Sequence, residues 1–132
     1  AGFLLYISNN ADGIWRTDNA ATGSVTMSII PGTGAANAAF YVGFGKKAPG
    51  ASDCRVFMLG QPGTGYFGFH YSDNISAPTP TWTIVRAFVG QKWQELLGTW
   101  QNVTGVNGDM NDHTKMLVST NGGSAFTITV SA

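Results

Sequence analysis

The chain has 132 residues with seven basic and seven acidic side chains, so it carries no net charge, and only 11% of its residues are charged. That length holds one domain with a sizeable core, read as residues 1–132, and that balance excludes the basic footprint of a nucleic-acid binder or of a protein held on an anionic membrane. Eighteen glycines beside 43% hydrophobic residues fit an ordered, turn-rich protein, the single cysteine Cys54 excludes an intramolecular disulfide, and no stretch approaches the ~20 apolar residues of a membrane-inserted helix.

Strand signals then recur along the chain. AGFLLYI has no basic start and runs straight into turn residues, so it reads as a strand and not as a signal peptide. NNADG turns it into IWRT; SVTMSII ends at PGTG, AAFYVGF at GKKAPGASD, and RVFMLG at QPGTG. In YFGFHY, alternation puts Phe67, Phe69 and Tyr71 on one face and Tyr66, Gly68 and His70 on the other, and the Phe face is the core candidate. APTP leads into TWTIVRAFV. QKWQELLGTW is the one segment with helical spacing, Trp93, Leu96, Leu97 and Trp100 falling at i, i+3, i+4 and i+7; a strand interrupted at Gly98 competes with it. LVSTNGGSAFTITV reads as a closing hairpin, with Asn121, Gly122 and Gly123 as turn and Phe126 packed inward. Many short strands with Gly/Pro turns predict an all-β protein: an antiparallel sandwich or barrel, or a partial propeller closed by oligomerisation.

Ser119 to Phe126 resembles the Asp-box, the sialidase-type hairpin repeat in which Ser or Thr, an acidic residue, Gly and an aromatic recur at fixed offsets; Asn121 stands where that family has Asp. Degenerate copies lie at Ser8, Asn10 and Trp15, with Asp12 in the Gly position, and at Ser72 and Trp82 around a longer turn. The resemblance implies blades of a β-propeller, and its residues are structural: a capped turn, a permissive Gly and a tucked aromatic. It names no activity.

Catalytic chemistry is not expected. His70 and His113 lie far apart, Glu95 is the sole glutamate, and using Arg16, Arg55 and Arg86 as a sialidase-like carboxylate clamp would require a complete propeller with a partnered Tyr and Glu. No cofactor is expected. The one metal candidate is VNGDMNDH, where Asn107, Asp109, Asn111 and Asp112 alternate as calcium ligands would, but Val118 takes the place of the bidentate Glu and a polar turn is the competing account. His113 has no spaced partner for a transition metal. Cys54 reads as a small buried hydrophobe. Asn74-Ile75-Ser76 and Asn102-Val103-Thr104 fit the glycosylation pattern without requiring it.

Aromatic residues are the remaining handle, because a flat ring stacks on the C–H face of a sugar while amides and guanidinium groups bond its hydroxyls. Trp15 beside Asn9, Asn10, Asp12 and Arg16 is the richest such group; Trp93 and Trp100 bracket a second polar segment. For Trp15 and Trp82 the competing role is to pin hairpins to the core. The expected function is a lectin-like carbohydrate-binding domain, a homo-oligomer recognising glycans or a cell-surface receptor at an extracellular or virion surface. The alternative is a structural virion protein, a capsid decoration or fibre-tip component, assembling through subunit packing.

Overall fold

A computed structural model describes residues 4–7, 13–33, 39–88, 103–122 and 125–131. The segment 91–100, where a helix and an interrupted strand compete, lies outside these, and among the described residues the regular structure is all strand: β1 (Leu4–Ile7), β2 (Ile14–Thr17), β3 (Ser28–Ile29), β4 (Tyr41–Lys47), β5 (Cys54–Gly60), β6 (Gly68–Ser72), β7 (Thr83–Ala87), β8 (Val103–Gly108), β9 (Lys115–Thr120) and β10 (Ala125–Thr129). They form three antiparallel sheets in sequence order, β1-β2-β3, β4-β5-β6-β7 and β8-β9-β10. The expected all-β, antiparallel class holds.

The sheets stack face to face with an apolar layer in each gap. Between the first and second lie Ile14, Ile30, Ala39, Val56, Met58 and Ile75. Between the second and third lie Phe57, Leu59, Phe69, Val106, Met116 and Val118, with Phe67, Tyr71, Phe126 and Ile128 packed against them. The Phe face of β6 and the inward Phe126 therefore sit where alternation puts them. Because the middle sheet is covered on both sides, Arg55 to Gly60 are buried without alternation, which is why RVFMLG reads as a continuous run.

The second and third sheets meet through β4 and β8. These strands run in the same direction, with Gly43 against Val106 and Asn107 and Gly45 against Gly108. The Phe44 N–H donates to Asn107 Oδ1 at 2.9 Å and the Lys46 N–H to the Asp109 carbonyl at 3.0 Å. A Cβ on Gly108 would lie 2.4 Å from Gly45 Cα and 2.7 Å from the Phe57 ring, so only glycine allows the approach.

One corner occurs twice. The Asn19 N–H donates to Thr17 Oγ1 and the Asn74 N–H to Ser72 Oγ; the Asn19 carbonyl accepts from Thr22 N and the Asn74 carbonyl from Ala77 N; Asn19 Oδ1 accepts from Thr26 N and Asn74 Oδ1 from Thr81 N, both at 3.0 Å. The spacing is the same in both copies, one leading into β3 and the other into β7. The internal likeness thus pairs TDN at 17–19 with SDN at 72–74, whereas the degenerate copy expected at Ser8 to Trp15 lies largely outside the described residues. These side-chain bonds also explain why SVTMSII yields a strand of only Ser28–Ile29: Ser24 and Thr26 bond Asn19 instead of a ladder.

Gly108→Ala should destabilise the fold by about 2–3 kcal/mol, the upper range for overpacking, because the atoms in its way are backbone and an inward ring. Urea unfolding followed by tryptophan fluorescence checks this, and a cost below ~1 kcal/mol would contradict the contact.

Candidate functional site

The Pro-Gly-Thr-Gly sequence also occurs twice, at 31–34 and 62–65. The first copy follows β3 and the second joins β5 to β6, and the Gly63 N–H donates to the Gly32 carbonyl at 2.6 Å, tying the two turns together. Gly32 and Gly63 both have positive φ, 80° and 60°, which a side chain there would disfavour. Gln61 Nε2 donates to the Gly65 carbonyl and fixes the second turn from within.

Beside this junction an open cleft of about 510 Å³ runs along the outer edge of the middle sheet. Its walls include Tyr66, His70, Thr81, Trp82 and Ile84, with Pro31 and Pro62 at the turns. Tyr66 is 62% exposed, a large ring held out at the end of a fixed turn, and Ile84 is 43% exposed on the edge strand β7. Trp82 is half-buried and packs on the layer between the first and second sheets, so it pins its loop to the core, the role foreseen for it. Its Nε1–H is buried and donates to no group among the described residues. His70 is buried, its Nδ1 3.1 Å from the Gly68 carbonyl, and burial holds its pKa below the ordinary histidine value. Among the described residues, no Asp, Glu, Lys or Arg lines this cleft.

The residues singled out from sequence are distributed differently. Trp15 is half-buried on β2, paired with Ile29 of β3, while the next residue, Arg16, donates from Nη1 to the carbonyls of Ile75 and Ala77, the latter at 2.8 Å. The guanidinium is thus engaged by the β6–β7 loop. Asn9, Asn10, Asp12, Trp93 and Trp100 lie outside the described residues. The three arginines do not form a clamp. Arg55, 2% exposed, makes a bidentate pair with Asp73 at 2.7 and 2.8 Å, donates to the His113 carbonyl at 2.9 Å and lies 4.0 Å over the Tyr71 ring. Arg86 is on β7.

The VNGDMNDH loop is spent on its own turns. Asp109 Oδ1 accepts from the Asn111 N–H, Asp112 Oδ1 accepts from both the N–H and the hydroxyl of Thr114, and Asn107 Oδ1 accepts from Phe44 and Gly108. Those Thr114 bonds pull the Asp112 carboxyl below its usual range. Among the described residues no three His, Cys, Asp or Glu side chains converge as a metal site. Cys54 is half-buried, and desolvation with the nearby Asp53 pushes its thiol up, away from the thiolate.

No known family profile matches the chain, and no curated protein matches it. Among solved structures it is similar to a GH74 enzyme of Niastella koreensis, a glycoside hydrolase of β-propeller type, with a TM-score of 0.69 and 25% identity over 96% of this chain. The chain spans 16% of that enzyme's length. Successive antiparallel meanders, stacked face to face with β4 and β8 side by side, are the arrangement of neighbouring propeller blades.

Asp73→Ala should cost about 3 kcal/mol or more, since it leaves the buried Arg55 without its carboxylate. Thermal unfolding of the variant, with Asp73→Asn as the milder companion, measures the effect.

Proposed function

We propose that the chain is a carbohydrate-binding unit that holds a neutral sugar chain in the cleft beside the paired Pro-Gly-Thr-Gly turns. The observation that carries this is the composition of the cleft among the described residues: an exposed aromatic face at Tyr66, hydroxyls at Thr79 and Thr81, turn backbone, and no charged side chain. Its volume suits several sugar rings or part of an oligosaccharide, and its open form suits a ligand that runs across a surface. Likeness to a GH74 enzyme supports a carbohydrate ligand for this chain.

Binding without hydrolysis is part of the proposal. Glycoside cleavage ordinarily uses two carboxylates facing the scissile bond, and the described cleft wall offers Tyr66 and His70 as its titratable groups. Single-site affinity from stacking and neutral hydrogen bonds is modest, and self-association would raise it through multivalency. The lectin assignment accordingly keeps the expectation of an oligomer.

Isothermal titration with cellohexaose, xylohexaose and mannohexaose tests the assignment. At least one is expected to bind, and Tyr66→Ala, at an exposed position where folding is unaffected, should weaken it about tenfold or more, the effect of removing an aromatic anchor worth ~1.5–2 kcal/mol. Unchanged affinity in that variant would move the site elsewhere on the protein.

A further inference from the structure

We propose that His70 makes the cleft selective for uncharged, hydroxyl-bearing ligands over acidic ones, by accepting a hydrogen from a ligand hydroxyl at its Nε2. This deepens the carbohydrate assignment and rests on it.

His70 lies in the middle of β6, 3% exposed, and its ring forms part of the cleft wall. Its Nδ1 is 3.1 Å from the Gly68 carbonyl. A carbonyl oxygen only accepts, so Nδ1 carries the hydrogen and Nε2 of the neutral ring is a bare acceptor. Burial disfavours the imidazolium, which keeps the ring in that neutral form at pH 7. Its cross-strand neighbours are Met58 on β5 and Ile84 on β7, neither of which has a side-chain hydrogen to give to Nε2, and no group among the described residues bonds that nitrogen.

A nearly buried acceptor at the wall of an open cleft fixes what enters. A sugar hydroxyl donates to it and satisfies the nitrogen. A carboxylate oxygen is itself only an acceptor, so it meets Nε2 lone pair to lone pair, and the described cleft wall has no Lys or Arg to hold the charge. Uronic and sialic acid chains are disfavoured where neutral hexose or pentose chains fit. Arg16 is engaged with the Ile75 and Ala77 carbonyls and Arg55 with Asp73, and Arg86, exposed on β7, is not among the described lining residues.

The test compares wild type, Tyr66→Ala, His70→Phe and His70→Gln in calorimetric titrations at neutral pH with the three neutral hexasaccharides and with hexagalacturonate. Imidazole nitrogen NMR of the free wild-type protein accompanies them. The expected result is the Nδ1–H tautomer, binding of a neutral hexasaccharide and none of hexagalacturonate. His70→Phe should lose about tenfold in affinity, the scale of one hydrogen bond in a desolvated site, and His70→Gln, whose amide oxygen reaches near the place of Nε2, should regain most of it. Affinity unchanged in a His70→Phe variant that melts with wild type overturns the inference, as does an Nε2–H tautomer or hexagalacturonate binding as tightly as the neutral chains. If His70→Phe does not fold, the tautomer and the neutral-against-acidic comparison decide on wild-type protein alone. Loss of binding in Tyr66→Ala but not in His70→Phe preserves the carbohydrate assignment and removes the role of His70; no saccharide bound by wild type removes both.

Discussion

At Gly43, Gly45 and Gly108 two backbones touch with no side chain between them. That contact sets the distance and direction of β4 against β8, and everything between the second and third sheets follows from it. The Phe57 ring fits under the same crossing, and the layer from Leu59 to Val118 closes around it. Asn107 and Asp109 can then bond the β4 backbone, and Arg55 can reach the His113 carbonyl across the gap while keeping Asp73. A methyl group at the crossing would wedge apart elements joined by all of these interactions at once.

Much of the strand pattern was legible because it rests on short-range rules. IWRT is β2 residue for residue, RVFMLG falls within β5, and Asn121 and Gly122 turn between β9 and β10, with Ala125 opposite Ser119 and Gly123 outside the described residues. The short β3 was less so, since the choice between ladder and side-chain bonds in SVTMSII depends on Asn19 several residues upstream. Alternation also ranked the faces of β6 correctly for Phe69, but it left His70 on a nominally outer face; a second sheet covers that side too, and no local pattern announces a sheet buried on both faces.

The candidate site was harder to read because it is assembled from three separate turns. Tyr66 opens a six-residue aromatic run, on the face opposite its core candidates, and nothing near it in sequence points to Pro31 or Ile84. One signal was present: the repeated Pro-Gly-Thr-Gly, whose two copies turn out to be hydrogen-bonded to each other. The same four residues nevertheless turn differently: the Thr33 N–H donates to the Ile30 carbonyl, putting Pro31 and Gly32 at the centre of the first turn, whereas the Gly65 N–H donates to the Pro62 carbonyl, putting Gly63 and Thr64 at the centre of the second. Trp15 attracted notice because polar residues surround it in sequence, yet strand alternation sends consecutive side chains to opposite faces, and Arg16 leaves it for the neighbouring loop.

The duplicated corner separates what holds a loop from what the loop displays. In both copies a hydroxyl, an asparagine and a threonine fasten the two ends, while the residues between them differ completely, Ala20 to Val25 in one and Ile75 to Pro80 in the other. One filling is an exposed surface turn; the other inserts Ile75 into the core and delivers Thr79 and Pro80 to the cleft. Such a frame lets the exposed positions of the filling drift while the fastening bonds stay, with Ile75 the one position that the core holds fixed.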